Sequence, residues 1–295
     1  MNVTTVPVSI EESRRVAGTQ SDPEAWLREV RQGLRSGVLA PYLGPGVIHL
    51  ARVPVPTTCE ALAAFFGSKV ALPRRARGDL GASAQYIESS RHRNVVIQLM
   101  GEAFASPVPP LPIHEHIAQA PVPLIVDTWY DGAMRAALAD RSDWGEIQGV
   151  RRSGLGGDRY YAAYDSSGAP CAIDAADAWT TVLYKPHGAV VPAKNFLVSD
   201  SDYVEVLTEI DIQTPIPNVV KARRSSVGFV FLGCRLNEQT LRAYARQILK
   251  RSGERHFIAL EPGSVTRNEE RFVQEHGLRS IVCPLGDVLT SLTQP

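Results

Sequence analysis

The sequence predicts an α/β protein, a Rossmann-like parallel sheet with helices on both faces and a helical insertion early in the chain. Three observations carry that expectation. Short apolar, β-branched runs alternate with amphipathic, helix-length runs through the second half of the 295 residues, the pattern of strands buried between helical layers. Two of the apolar runs, VLAPYLGPGV at 38 to 47 and VGFVFLG at 227 to 233, end in glycine turns, where a buried strand gives way to a tight backbone bend. Between 51 and 115 the alternation stops, and only helix-like segments follow one another.

Taken in order, residues 1 to 21 are polar and aperiodic and read as a flexible tail, and 22 to 293 as one domain that contains the 51 to 115 helical module. Asp22-Pro23-Glu24 supplies an N-cap, a proline at the first helical position and an acid in the first turn, and Trp26, Leu27, Val30 and Leu34 then form one apolar stripe. The run from 38 to 47 reads as a buried strand, with Pro41 an awkward member because it lacks a ladder donor. TTCEALAAFF, LGASAQYIES and NVVIQLMGEAF, within 57 to 105, read as helices, and SPVPPLP at 106 to 112 as a linker. PLIVDTW (123 to 129) and TTVLYK (180 to 185) read as strands, with DGAMRAAL as a helix after the first. Ser199 and Asp202 make a capping box ahead of a helix. The helix from Glu238 places Leu241, Tyr244, Ala245, Ile248 and Leu249 on one face, with Asn237 as its cap. HFIAL, ERFVQEHG, RSIVC and DVLTSL complete the alternation.

Composition narrows the function. The 31 basic and 31 acidic residues cancel, which argues against nucleic acid or an anionic membrane as partner. The basic runs PRRAR (73 to 77) and Arg91-His92-Arg93 read as solvated faces. Cys59, Cys171, Cys234 and Cys283 lie too far apart for a CxxC pair or a disulfide framework, so no zinc is expected. No signal-peptide core opens the chain, and the longest oily run, VGFVFLGC, is too short to span a bilayer. A cytoplasmic location follows as the expectation.

Several strand ends carry candidate chemistry. Leu43-Gly44-Pro45-Gly46 sits where a backbone could approach a phosphate, although His49 stands where the dinucleotide fingerprint needs its third glycine. His114, Glu115 and His116 do not make a metal site, because residues two apart on a helix diverge. Asp131 suits both a ligand contact and a helix cap. In LYKPHGAV (183 to 190), His187 is either a base at neutral pH or the histidine of a turn.

Read together, LGPGV (43 to 47), IHEHIA (113 to 118), LIVDTWYDGAMRAAL (124 to 138), LYKPHGAV (183 to 190), FLVSDSDYVEVL (196 to 207) and VFLGCRLNEQTLRAYARQIL (230 to 249) come in the order and spacing of the bacterial sirtuin-like domains. The chain resembles their zinc-free branch over residues 22 to 293, a branch found in NAD-consuming antiphage effectors. The resemblance implies NAD as substrate or ligand and no zinc. It implies that Gly44 and Gly46 hold the NAD phosphates, that Thr128 and Asp131 address the nicotinamide ribose and carboxamide, that His187 with Gly188 supplies a base near the ribose, and that Gly233 lies by the adenosine. Pro45 and Ile48 depart from the Ala and Ser of the family's glycine turn. Trp129 stands where the family has its catalytic Asn.

That last departure has a chemical consequence. Breaking the nicotinamide–ribose bond passes through an oxocarbenium-like state that needs a positioned polar group. An Asn amide donates and accepts there; an indole only donates, and its bulk is able to fill the nicotinamide pocket. Two functions are implied: an NAD+ glycohydrolase of the defence-effector type, or a degenerate domain that binds NAD or ADP-ribose as a sensor or structural subunit. A protein partner or self-association stays open.

Overall fold

Capping and proline placement set the first elements of the computed structural model, which describes residues 22–150, 160–204 and 216–294. The expected tail at 1 to 21 lies outside the described residues. Helix α1 (Pro23–Arg35) begins where the Asp22 carboxylate accepts from the Ala25 amide at 3.3 Å, and it buries Trp26, Val30 and Leu34. Strand β1 (Leu39–Leu43) follows, buried throughout. Pro41 is accommodated in it by local geometry. The Leu43 carbonyl accepts the Thr128 amide on one side and the Gly44 amide reaches Leu232 on the other, so the donor that Pro41 lacks would face the neighbour paired only at Tyr42 and Leu43.

Five helices follow, α2 (Gly46–His49), α3 (Cys59–Lys69), α4 (Leu80–Arg91), α5 (Arg93–Ala103) and α6 (Pro112–Gln119), of which α3, α4 and α5 pack on one another as a helical module. Thr58 and Asp79 cap α3 and α4, accepting from the amides of Ala61 at 3.0 Å and Ala82 at 2.8 Å. Leu62, Phe66, Ala84, Ile87, Val96 and Met100 form its core, closed by Trp129, Tyr130 and Phe196 from the sheet side.

The sheet is then completed by β2 (Leu124–Asp127), β3 (Trp144–Gly149), β4 (Tyr161–Asp165), β5 (Pro170–Cys171), β6 (Thr181–Lys185), β9 (Gly228–Leu232), β10 (His256–Leu260) and β11 (Arg279–Val282), while β7 (Gly188–Ala189) and β8 (Asn195–Phe196) form a separate small ribbon. Between these run α7 (Ala133–Ala137), α8 (Asn218–Arg224), α9 (Gln239–Leu249) and α10 (Arg267–Glu275), with α11 (Leu285–Thr293) at the end. The nine strands lie in the order β11-β10-β9-β1-β2-β6-β3-β4-β5. Pairing is parallel from β11 through β3, and β4 and β5 add antiparallel at one edge.

Both faces are covered, which is the fold class the sequence predicts. Leu39 and Leu43 of β1 face α1, α6 and α11 together with Val230 and Leu232, while Ala40 and Tyr42 face α8, α9 and α10 together with Phe229 and Phe231. That double burial is why these strands read as continuous apolar runs instead of alternating ones. Each fully buried side chain of this kind contributes roughly 1.5–3 kcal/mol.

Three local expectations change. Strands β3, β4 and β5, which complete one side of the sheet, carry no signal that the apolar-run reading picked up. Glu238, not Asn237, is the N-cap of α9, and the Asn237 carbonyl accepts from Arg242 at 2.6 Å. Arg93 is no solvated residue: it pairs with the fully buried Asp202 at 2.7 Å and with Glu88 at 3.0 Å. The Ser199–Asp202 capping box is present, with the Ser199 amide donating to Asp202 at 3.0 Å and the Asp202 amide to Ser199 Oγ at 3.3 Å.

Candidate functional site

The carboxyl ends of β9, β1, β2 and β6 are neighbours in the sheet, and they bring together Gly233, Gly44, Gly46, Thr128, Asp131, His187 and Gly188. The chain order reverses around β1, which is where open α/β sheets place a ligand crevice.

On the β1–β9 side, the glycines answer to each other. The Gly44 amide donates to the Leu232 carbonyl and the Gly46 amide to the Gly233 carbonyl, each at 2.9 Å. A Cβ on Gly44 would lie 2.4 Å from the Gly233 carbonyl oxygen, and one on Gly46 would lie 2.8 Å from it. Gly233 itself has φ +65°, and a Cβ there would meet the Val47 amide nitrogen at 2.5 Å. Close backbone packing is therefore what demands glycine at these positions, and both amides that the resemblance assigns to phosphate are already bonded within the protein.

The β2–β6 side is built on a buried charge cluster. Lys185 Nζ donates to Asp127 Oδ2 at 2.7 Å and to the Asp131 carbonyl at 3.0 Å. Burial pushes the Asp127 carboxyl up to about 6, with Lys185 pulling against it. Burial also pulls the Lys185 ammonium down, but the carboxylates of Asp127, Asp131 and Glu146 overcome this and hold it above its ordinary value. The pair is ionised at neutral pH. Asp127 also accepts the Trp129 amide at 3.1 Å, which shapes the chain as it leaves β2. Thr128 ties the two strand ends together, since its amide and hydroxyl both donate to the Leu43 carbonyl at 2.9 Å.

Asp131 serves as a local cap, its Oδ1 accepting from the Ala133 amide at 2.8 Å. Its Oδ2 is buried with no hydrogen-bond partner. His187 is 2% exposed, sits edge-on to Tyr244 with ring centroids 4.5 Å apart, and places Nδ1 3.5 Å from Tyr203 Oη. Tyr203 Oη donates to the Leu197 carbonyl at 3.1 Å. A tautomer with the proton on Nδ1 then leaves Nε2, buried and without a partner, as a lone-pair acceptor. The imidazole is not near its reference value, as the sequence reading takes it to be. Burial and the Lys185 charge push it down to about 3, so it is neutral at physiological pH and a weak proton acceptor. Gly188 has φ +78°, where a Cβ would lie 2.0 Å from the Asn195 carbonyl oxygen.

Trp129 also differs from expectation. Its side chain is built into the helical module, with Nε1 donating to the Pro56 carbonyl at 2.9 Å and the ring packed on Tyr130 and Phe104 at centroid distances of 5.2 and 6.0 Å. The indole is thus held by the module's core. His114 is likewise structural: Nδ1 accepts from the Leu111 amide at 3.0 Å, and burial lowers its pKa to about 4.

Sequence reasoning missed Asp127, Lys185 and Tyr203. The signal was present for the first two, since LIVD and LYK each end an apolar strand on a charge of opposite sign. All four cysteines carry free thiols. Among the described residues no three His, Cys, Asp or Glu side chains are grouped so as to hold a metal ion, and no helix is long and apolar enough to cross a membrane.

A family model described as the SIR2-like domain matches residues 123–281, more than half of the chain. The matched span runs from the start of β2 into β11 and so includes Thr128, Asp131, His187, Gly188 and Gly233. A search of curated proteins finds no match.

Proposed function

The chain belongs to the SIR2-like family, and from that premise we propose that it binds NAD or ADP-ribose at the carboxyl ends of β1, β2, β6 and β9 without rapid turnover. One observation carries the binding claim. Asp131 Oδ2 and His187 Nε2 are buried polar atoms without partners on adjacent strand ends, and a buried polar group is expected to be hydrogen-bonded. A ribose hydroxyl donating to Nε2 and a carboxamide N–H donating to Oδ2 would meet both demands. The glycines then act as a close-packed wall of the crevice, and Thr128 holds β1 and β2 in register.

Slow turnover follows from the two groups that would drive cleavage. The family's catalytic amide is replaced by Trp129, which is engaged with Pro56, and His187 is a weak base. The second reading, an NAD+ glycohydrolase of the defence-effector type, is favoured by the same Asp131 Oδ2, a buried carboxylate oxygen without a partner that is able to orient an attacking water at these strand ends.

Titration of the purified protein with NAD and ADP-ribose, followed by a nicotinamide-release assay, tests both. Saturable binding with release no faster than the uncatalysed rate supports the first reading. Brisk release replaces it with the second. Absence of binding at millimolar nucleotide refutes both.

A further inference from the structure

At the opposite end of the sheet lies a polar feature that the crevice does not use. α1 delivers Arg35 to the start of β1, α6 ends ahead of β2, and α11 packs on both helices at this amino-terminal edge. Here Arg28, Arg31, Gln32, Arg35 and Ser36 line a concavity of about 360 Å³. Two of the arginines are anchored by neutral groups, Arg31 Nη2 donating to the Ser291 carbonyl at 2.6 Å and Arg35 Nη2 to the Gln294 carbonyl at 3.4 Å. Among the described residues none of the three arginines forms an ion pair, and the nearby Glu29 is engaged with Arg279.

The polar demand at this place is unmet. Arg31 Nε and His116 Nε2 are shielded from water and have no hydrogen-bond partner. His116 lies close enough that, after burial, the Arg35 and Arg31 charges are what lower its pKa. Like charges gathered without a counter-charge repel one another, and an oxyanion in the concavity would relieve that. Guanidinium groups match phosphate oxygens in a two-point fork. Positions 28 and 35 are separated by about 10 Å along the helix axis, longer than one phosphate and close to the length of a short phosphate chain.

We propose that this concavity is a binding site for a small compound carrying two or more phosphates, at the pole of the sheet opposite the nucleotide crevice. The proposal does not depend on how the crevice is read. Isothermal titration with inorganic triphosphate is the test, with inorganic phosphate as the short comparison and saturating ADP-ribose to occupy the crevice. The expected result is saturable triphosphate binding that ADP-ribose does not displace, tighter than that of phosphate, and weakened about tenfold or more by Arg31→Gln with Arg35→Gln. ATP in place of triphosphate shows whether a nucleoside is tolerated on the chain: equal or tighter binding assigns the site to nucleotides, and weaker binding assigns it to phosphate chains alone. The more exposed Arg28→Gln gives a second variant if the double one fails to fold, with a several-fold loss expected. No saturable binding at millimolar triphosphate, displacement by ADP-ribose, or unchanged affinity in the variants would overturn the proposal.

Discussion

On the β1–β9 side of the strand ends the turn amides are bonded within the protein, Gly44 to Leu232 and Gly46 to Gly233, whereas on the β2–β6 side Asp131 Oδ2 and His187 Nε2 are buried with no partner. Both sides contain motif residues, yet the physical reasons for them differ. Glycine on the first side answers to steric contact between two backbones. The polar residues on the second side hold hydrogen-bonding capacity in reserve. A motif position thus reports either on folding or on a ligand, and only its contacts tell which.

Gly44→Ala gives the largest test of that distinction. Its new Cβ would meet a backbone oxygen at 2.4 Å, which cannot swing away, so a loss of more than about 4 kcal/mol is expected. Chemical denaturation without any nucleotide measures it. An Ala variant of wild-type stability that has merely lost NAD affinity would return the glycine turn to the phosphate-binding role.

Lys185→Met comes next, because it leaves Asp127 buried without its partner, at about 3–5 kcal/mol. Pairing it with Asp127→Leu should recover most of that stability, since an apolar replacement of a buried ion pair is often close to neutral. If the double variant stays as unstable as the single one, the two side chains are not coupled as described.

Trp129→Asn should destabilise by about 3 kcal/mol through the cavity it leaves between Phe104 and Tyr130. No gain in nicotinamide release accompanies it, because the amide enters a site shaped by the module for an indole. A gain in release at unchanged melting temperature would show that the position still belongs to catalysis.

Acid should weaken the fold on a gentler slope. His187 is lowered from 6.5 to about 3, and His114 and His256 from 6.5 to about 4. Each excludes in the folded state a proton that the unfolded chain takes up, so its contribution is complete above pH 6.5 and is lost as pH falls. The loss approaches ~1.4 kcal/mol per pH unit per histidine. Asp127 works the other way between about 6 and 3.8, because the folded state takes its proton first, and it offsets about one histidine. His187→Gln should remove one histidine's share of the slope in a melting series from pH 7 to 4.5. In the same variant, a change of about 1 kcal/mol or less at pH 7 should go with loss of the NAD-induced melting shift, which separates the polar side of the crevice from the glycine side.

The sheet of strands buried on both faces was legible because burial on both faces writes uninterrupted apolar runs, as in Leu39–Leu43 and Gly228–Leu232. Trp144–Gly149 was not, since it is buried with Glu146 and Gln148 inside it. Those polar side chains are satisfied by Arg135 Nη1, which donates to Glu146 at 2.8 Å, and by Asn195 Nδ2, which donates to Gln148 at 2.8 Å. Neither partner is near in sequence, and Gly145 is fixed by Trp179, whose ring would lie 2.3 Å from a Cβ there. The candidate site divides in the same way. Positions of Asp131 and His187 could be read from motif order, but the burial that weakens His187 as a base and the Lys185–Asp127 pair depend on contacts across strands. Arg93 looked solvated for the same reason, its partner Asp202 being far along the chain.

The central place of β1 has a consequence for how the molecule is made. Its residues pair in full with β9, from Leu39 against Gly228 to Leu43 against Leu232, but with β2 only at Tyr42 and Leu43. A chain emerging from the ribosome exposes this oily strand well before its partner, since the segment that covers its longer edge arrives only after residue 232 has been synthesised. Until then the nascent chain holds an apolar edge open to other chains. Expression should therefore be sensitive to truncation: products ending before residue 228 go to the insoluble fraction, while chains running through residue 294 fold once β9 has docked.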